Sequence, residues 1–113
     1  MSSPKSLYGK YLLERENINI LETEIGFATY LFENDYVYIK DIFVLKEYRN
    51  AKTASDMADK IAEIAKQKGY KKMLGSVCPS TNGSTSSIQV LISYGFKVIQ
   101  STENMIYFIK EIK

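Results

Sequence analysis

The sequence predicts an α/β fold in which helices flank one central mixed β-sheet, built as a single domain over residues 1–113. Two observations carry this prediction. One long stretch has apolar side chains at helical spacing, and six shorter stretches have the alternation or the apolar character of β-strands. Helical and extended stretches interleave in the order α-β-β-β-α-β-α-β-β, which is typical of a mixed sheet with helices on its surfaces.

The first part of the chain is predicted to form a helix and three strands. Ser3 and Pro4 have the character of an N-cap and a first helical residue, and a helix is expected over about residues 4–14. Strands follow at residues 17–22, 25–32 and 36–45. Asn34-Asp35 is a hairpin signal between the last two strands. The third strand becomes apolar on both faces toward its end, so we expect it to be central.

The second part begins with the clearest amphipathic helix of the chain, predicted over residues 51–68 and ended by Gly69. Its apolar side chains share one face, and most of its charged side chains lie on the other. The remaining predicted elements are a strand at 70–77, a turn-rich loop at 78–86, a helix at 87–94 ended by Gly95, and strands at 96–100 and 105–112.

Composition excludes several classes of partner. The net charge is only +2 and the lysines are spread along the chain, which lacks the basic stripe of a nucleic-acid-binding protein. No apolar run has the length of a membrane span, and residues 1–6 are too polar for a signal peptide. Cys78 is the only cysteine, so no internal disulfide can form. We therefore expect a cytoplasmic protein with neither a nucleic-acid nor a membrane partner.

The chain contains no histidine. Ser-His-Asp and Cys-His catalysis are thereby excluded, and the commonest metal ligand is missing, so we expect no metal site. Any chemistry must use carboxylates, tyrosines, lysines, the backbone or a cofactor.

The segment Arg49-Asn50-Ala51-Lys52-Thr53-Ala54 follows the third predicted strand and opens the long helix. This order resembles the acetyl-CoA-binding core of the GNAT acetyltransferases, in which a central strand leads into an Arg/Gln-x-x-Gly-x-Gly/Ala loop and a helix. Arg49 fits the first position of that loop and Ala54 the last, whereas Lys52 stands where the first Gly is expected. A helix start attracts phosphate through its free N–H groups and its dipole.

The resemblance extends downstream, where Val77, a helix and Tyr94-Gly95-Phe96 are similar to the family's strand, helix and closing Gly-Phe. It covers about residues 25–112 and is found especially with small phage-type members of the family. A phage-encoded protein of this kind would act in the cytoplasm of its host. The resemblance implies acetyl-CoA as the acetyl donor and no metal.

Lys52 departs from the loop pattern. Gly adopts positive φ more cheaply than Lys, so we expect a differently shaped loop, in which Lys52 could add a positive charge next to a phosphate. The alternative interpretation of this segment is an ordinary helix N-terminus with a solvated Lys-Arg pair.

The resemblance also implies that the central strand diverges from its neighbour near Phe43 and Val44. Their backbone groups would pair with the pantetheine arm, and a backbone N–H there would stabilise the oxyanion of the reaction. The alternative for both residues is plain core. Ser84 falls where a pantetheine-contacting Asn is often found, and Asn82 lies two residues earlier. The coenzyme-binding candidates are then Phe43, Val44, Arg49, Asn50, Ala51, Lys52, Thr53, Ala54, Asn82 and Ser84.

Asp41 and Tyr94 are the catalytic candidates. Asp41 is the only acid in an apolar run, and a half-buried carboxylate there could take the proton of an amine, directly or through water. Its alternative role is structural, as a partner of Lys40 or Lys72. The family often uses a Tyr in its last helix to protonate the leaving thiolate. That position here is Leu91, and Tyr94 is the best substitute, although a core aromatic at a helix end is the plainer interpretation.

The sequence thus predicts an N-acetyltransferase that moves an acetyl group to a primary amine of a small molecule or protein by direct attack in a ternary complex. The alternative is a non-catalytic relative that binds an acyl-CoA or a partner protein. Leu91 and Lys52 favour the alternative, whereas Arg49 and Asp41 favour the enzyme. Many relatives carry a longer helical region at the N-terminus, so we expect a shallow acceptor site or one completed by a second subunit of a homodimer.

Overall fold

A computed structural model describes residues 4–49, 52–80 and 84–113, and for residues 84–87 it describes the backbone alone. It contains one six-stranded sheet with the strand order β1-β2-β3-β4-β6-β5. The elements are α1 (Leu7–Tyr11), β1 (Asn19–Glu22), β2 (Gly26–Phe32), β3 (Val37–Val44), α2 (Thr53–Gln67), β4 (Lys72–Val77), α3 (Ser84–Tyr94), β5 (Lys97–Ser101) and β6 (Ile106–Glu111). The predicted α/β class and element order are confirmed.

The first helix is shorter than predicted, and its cap differs. The predicted cap residue Ser3 lies outside the described residues, and Ser6 caps α1 through its hydroxyl, which accepts a hydrogen bond from the Gly9 N–H at 2.9 Å. The chain continues as a π-helical turn over Leu12–Glu16. This turn ends at Asn17, whose φ of 55° lies in the left-handed region.

Helices α2 and α3 cover one face of the sheet, which we call the α2/α3 face. The side chains of Ala28, Ile61 and Phe108 are fully buried there, and Met57, Met73 and Phe96 are nearly so. Burial of this apolar surface is the main source of stability for such a layer. The buried residues of α2 lie on the apolar face that its amphipathic pattern predicts: Met57, Ala58, Ile61 and Ala65.

The opposite face, which we call the α1 face, is covered by α1 only over β1 and β2. The Tyr8 ring of α1 contacts the Phe27 ring of β2 at a centroid distance of 5.9 Å. Glu22 on β1 accepts hydrogen bonds from the backbone N–H groups of Lys5 and Ser6 at 3.0 and 3.4 Å, which fastens the start of α1 to the sheet. On β3 of this face, Asp41 and Phe43 are exposed.

A β-bulge in β3 sets which of its side chains point to each face. Thr29 of β2 pairs with Asp41, and the next residue, Tyr30, pairs with Ile39, so Lys40 is an extra residue in β3. Before the bulge Ile39 points to the α2/α3 face, and after it Ile42 and Val44 do. The bulge thus explains why the strand is apolar on both faces in the sequence.

Strands β3 and β4 are parallel, but they pair only over residues 37–39 and 73–75. Beyond this point β3 continues to Val44 and β4 to Val77 without pairing to each other. The bulge at Lys40 bends β3 where the pairing ends. We call the opening between residues 40–44 and 76–77 the β3–β4 gap, and its length along β3 is about 17 Å at ~3.3 Å per residue.

Candidate functional site

The backbone of β3 presents polar groups to the β3–β4 gap. The Leu45 N–H donates to the Ile25 carbonyl at 2.8 Å, toward β2. Since backbone groups alternate in direction along an antiparallel strand, those of Phe43 also face β2, whereas those of Ile42 and Val44 face the gap. The prediction for Val44 agrees with this geometry. Phe43 is predicted to offer its backbone to the pantetheine arm, but its backbone groups face β2, and those of Ile42 face the gap.

Arg49 lies at the wide end of the gap. The 3₁₀ turn Lys46–Tyr48 follows β3 and returns the chain toward the strand end. There the Arg49 Nε donates to the Val44 carbonyl at 2.9 Å, and its guanidinium carbon lies 5.8 Å from the centroid of the Phe43 ring. This bond uses Nε, so the two terminal nitrogens are the groups that could bind a phosphate.

Helix α2 begins at Thr53, beside Arg49, and Lys52 is its N-cap residue. Lys52 is exposed and makes no side-chain cap hydrogen bond. Its φ is −73°, so the loop does not need the left-handed conformation that favours Gly at this position. The Thr53 hydroxyl donates to the Tyr48 carbonyl at 3.5 Å, and Ala54 is half-buried in the first turn.

Some of the predicted coenzyme-binding residues fall outside the part of the chain that the structure describes. Asn50, Ala51 and Asn82 lie outside the described residues, and Ser84 is the first residue of α3. The helix start that Lys52, Thr53 and Ala54 form nevertheless lies at the end of the chain segment that leaves the gap. The structure therefore brings together Val44, Arg49 and the start of α2 at one end of the sheet.

Asp41 lies on the α1 face of β3, directly after the bulge and opposite Thr29. The carboxylate was expected to be half-buried, but Asp41 is exposed. The bulge causes this difference, because it shifts Asp41 from the phase of the buried Ile39 to the other face. The side chain borders the gap and is accessible from solvent.

Tyr94, the predicted substitute for the family's acid, is the last residue of α3. Its hydroxyl donates to an Asp59 carboxylate oxygen of α2 at 2.5 Å, and Lys110 Nζ lies 5.4 Å from its ring centroid. Burial, with the Asp59 hydrogen bond and charge adding to it, raises the pKa of Tyr94 well above its ordinary value of 10.0. Lys110 pairs with Met73, so Tyr94 lies near the start of β4, about 13 Å along the strand from Val77.

Leu91 occupies the α2/α3 face at the narrow end of the gap. Gly75 is the last residue of β4 that pairs with β3, and a Cβ there would lie 3.7 Å from Leu91 Cδ2. An apolar side chain therefore covers this face where the strands separate. The same point on the α1 face holds a polar pair.

That pair consists of Tyr38 on β3 and Ser76 on β4, whose hydroxyls are hydrogen-bonded to each other. The bond joins the two strands at the last point where they run side by side. Sequence reasoning did not find this pair, because the two residues are 38 positions apart and only the register of β3 against β4 brings them together. Alternation places Tyr38 on a face of β3 but does not identify its partner.

Other kinds of site are not formed by the described part of the chain. Within residues 4–49, 52–80 and 84–113, no group of three or more His, Cys, Asp or Glu side chains could hold a metal ion. None of the helices in those ranges is long and apolar enough to cross a membrane.

The fold is an α/β fold whose two parallel central strands diverge beside the start of a helix. Residues 7–96 match the acetyltransferase (GNAT) family, and the chain belongs to this family. A search of curated protein sequences finds no match.

Several solved structures with a similar fold are described as acetyltransferases. The PaiA N-acetyltransferase of Thermoplasma acidophilum, in complex with coenzyme A, matches with a TM-score of 0.75 and 18% identity over 93% of this chain and 69% of that chain. A GNAT family acetyltransferase of Elizabethkingia anophelis with acetyl-CoA bound matches with a TM-score of 0.70 and 21% identity, over 96% of this chain and 83% of that chain. The ribosomal-protein-S18-alanine N-acetyltransferase of Escherichia coli matches at 0.68 and 15% identity, over 96% and 78%. At these identities the matches establish the fold alone.

Proposed function

We propose that the protein is an N-acetyltransferase that moves the acetyl group of acetyl-CoA to a primary amine of a small molecule or protein, by direct attack in a ternary complex. The observation that carries this proposal is the β3–β4 gap, which leads from the Tyr38–Ser76 pair to Arg49 and the start of α2. Membership of the acetyltransferase family supports it, as do the two similar structures that hold coenzyme A or acetyl-CoA.

The residues present fit the donor. The outward-facing N–H and carbonyl groups of Ile42 and the N–H of Val44 would pair with the amides of the pantetheine arm as a neighbouring strand does. The Val44 carbonyl already accepts from Arg49. Arg49, Lys52 and the N–H groups at the start of α2 would bind the pyrophosphate, because they combine two cations with a helix dipole. With the phosphates at this end, the thioester end of the donor would reach the narrow end of the gap.

Acetyl-CoA supplies an activated acetyl group, and the chain would bring the amine to it from the α1 face. The α2/α3 face is covered at this point by Leu91. On the α1 face the exposed Asp41 borders the gap. Asp41 would take a proton from the ammonium form of the acceptor, directly or through water, and pass it to solvent. The free amine then forms the C–N bond, and the C–S bond breaks to release the thiolate. The new amide nitrogen gives up its extra proton to solvent, and the thiolate takes up a proton from solvent to become the thiol.

We do not assign an acid for the leaving thiolate to Tyr94, because its hydroxyl is used by Asp59. A thiolate of coenzyme A is a good leaving group, so the mechanism works without a dedicated acid. We also propose a cytoplasmic location, as the composition predicts.

A second function is supported by one observation. Leu91 is apolar where the family often has a Tyr, which favours a non-catalytic protein that binds an acyl-CoA or a partner protein. The two functions differ in turnover but not in coenzyme binding. Calorimetric titration with acetyl-CoA first tests coenzyme binding, which both functions require. Release of the coenzyme A thiol in the presence of a panel of amines then tests turnover, which only the enzyme shows.

The binding step has a matched pair of variants. Arg49→Glu should weaken acetyl-CoA binding at least about tenfold, since hydrogen bonds to charged groups contribute about 1.5–3 kcal/mol. Arg15→Glu makes the same change at an exposed residue of the π-helical turn and should leave affinity unchanged. Equal affinity for both variants would contradict the assignment of the phosphate site. Binding without thiol release with any amine would favour the non-catalytic function.

A further inference from the structure

Three aromatic rings form a continuous line across the α1 face, which we call the aromatic strip: Tyr8, Phe27 and Phe43. The Tyr8 and Phe27 rings are 5.9 Å apart with an interplanar angle of 66°. The Phe27 and Phe43 rings are 5.7 Å apart. The line continues to Arg49, whose guanidinium carbon lies 5.8 Å from the Phe43 centroid. The strip therefore runs from α1 to the wide end of the β3–β4 gap.

The strip lies beside the acidic residue of the gap. Asp41 and Phe43 are two residues apart on β3 and point to the same face, so they are about 7 Å apart along the strand. Phe27 is the direct cross-strand partner of Phe43. An amine held at Asp41 would therefore place whatever it carries on the rings of the strip.

The strip is incompletely covered by the protein. Tyr8 is 50% exposed and Phe43 is 43% exposed, whereas side chains of the α2/α3 face such as Ala28 and Phe108 are fully buried. Large apolar side chains left in water lose the stabilisation of burial, so an exposed group of them next to a site indicates a binding surface. The electron-rich ring faces and the Asp41 carboxylate both attract a cation.

We infer that the acceptor is a primary amine with one aromatic or bulky apolar group two or three bonds from its nitrogen. This inference rests on the proposed function and specifies its acceptor. The ammonium group pairs with Asp41, and the apolar group covers Phe43 and Phe27, with Tyr8 at its far side. A small amine lacks the second contact. A polyamine also pairs with Asp41, but it carries no aromatic or bulky apolar group to cover the rings.

The same chemistry occurs in a small aromatic amine and at the amino end of a peptide that begins with Phe. The probes are therefore phenethylamine, phenylalaninamide and a Phe-Ala-Ala peptide amide, with ethylamine and spermidine as comparisons. Rates are followed as thiol release at saturating acetyl-CoA. We expect kcat/KM for phenethylamine to exceed that for ethylamine at least about tenfold, because even single methylenes in a pocket change it by ~10-fold or more.

Two matched variants locate the preference. Tyr8 and Tyr11 are both on α1 and both 50% exposed, but only Tyr8 belongs to the strip. Tyr8→Ala should reduce the ratio of kcat/KM for phenethylamine to kcat/KM for ethylamine about fivefold or more, because the ring of phenethylamine is then no longer buried against Tyr8. Tyr11→Ala should leave this ratio within a factor of about two. Phe43→Ala should reduce the ratio further. If the parent protein shows equal kcat/KM for the two amines, the inference is wrong.

Binding gives a readout that does not need turnover. Phenethylamine is added to the complex with coenzyme A, and the ring signals of Tyr8, Phe27 and Phe43 are followed by NMR. Shifts of these signals with phenethylamine and not with ethylamine support the inference, and their absence overturns it. If the Phe peptide alone shifts them, the acceptor is a polypeptide. If coenzyme A itself does not bind, the proposed function has failed rather than the acceptor class.

Discussion

The two faces of the sheet differ most where β3 and β4 separate. On the α2/α3 face, helix α3 lays Leu91 over Gly75, and the neighbouring core residues Ile39 and Val77 are buried. On the α1 face, Tyr38 and Ser76 exchange a hydrogen bond, and Asp41 and Phe43 beyond them are exposed. Packing closes one side of the gap and leaves polar and aromatic groups on the other. We therefore expect the acceptor to approach from the α1 face.

The largest expected effect is on Asp41. Asp41→Asn keeps the size of the side chain and removes the proposed base on the α1 face, so the acetylation rate should fall by ~10²–10⁴ while acetyl-CoA affinity holds. Asp59→Asn is the matched control on the α2/α3 face, where the carboxylate accepts from Tyr94. Rates are measured against pH for the parent and both variants. An Asp41→Asn protein with the full rate and the parent pH profile would remove Asp41 from the mechanism.

A second test compares two glycines on the α2/α3 face. A Cβ at Gly26 would lie 2.2 Å from the Phe43 carbonyl oxygen and 3.0 Å from Val44 Cα, so the end of β3 would have to move. We expect Gly26→Ala to lower the free energy of unfolding by about 3 kcal/mol, as overpacking does. Gly75→Ala meets Leu91 Cδ2 only at 3.7 Å, so the change should be small. Denaturant titration measures both, and equal stabilities would mean that the end of β3 tolerates movement.

A third test concerns a buried hydroxyl under α1. Thr29 is 2% exposed, and its Oγ1 has no hydrogen-bond partner in the described part of the chain. Thr29→Val replaces the hydroxyl by a methyl group and should raise the free energy of unfolding by about 1 kcal/mol. Thr23→Val should lower it instead, because the Thr23 hydroxyl donates to the Gly26 carbonyl at 3.1 Å. A loss of stability in Thr29→Val would indicate that its hydroxyl has a partner in solution.

The smallest expected effect is on the docking of α1. The Ser6 hydroxyl, together with the backbone N–H groups of Lys5 and Ser6, lowers the pKa of Glu22 below its ordinary value of 4.5, although burial opposes this. Because the folded pKa is the lower one, Glu22 stabilises the fold above the unfolded value, and this contribution is lost as pH falls through the folded value. Between about pH 5 and about pH 3, the melting temperature of the Glu22→Gln variant should therefore fall less than that of the parent. Glu24→Gln, at an exposed neighbour, should follow the parent. If the melting temperature falls equally with pH in the parent and both variants, the role of Glu22 is contradicted.

Much of the fold could be predicted because its signals are local. The face of α2 follows from apolar spacing, and Gly69 and Gly95 have the positive φ of 89° and 111° that the helix ends require. The bulge at Lys40 could not be predicted, because it depends on how β2 pairs with β3. That bulge decides which residues of β3 face each side of the sheet. The exposure of Asp41 therefore could not be predicted from the sequence either.

The candidate site likewise contains some residues that are close in sequence and others that only the folded sheet brings together. The position of Arg49 and Val44 near the start of α2 could be predicted, because the segment from β3 to α2 is continuous in sequence. The position of Tyr94 could not be predicted, because its contact with Asp59 joins two residues that are 35 positions apart in the chain. The same holds for the Tyr38–Ser76 pair and the aromatic strip, in which residues from α1, β2 and β3 meet only in the folded sheet.

The most direct measurement of the central assignment, that the donor enters between β3 and β4, is amide hydrogen exchange with and without acetyl-CoA. The N–H groups of Ile42 and Val44 face the gap, whereas those of Phe43 and Leu45 face β2, where the Leu45 bond to Ile25 is 2.8 Å long. We expect acetyl-CoA to slow exchange at Ile42 and Val44 at least about tenfold, as new hydrogen bonds do, and to change Phe43 and Leu45 much less. If acetyl-CoA binds by calorimetry and exchange at Ile42 and Val44 does not change, the donor lies elsewhere and the assignment is wrong.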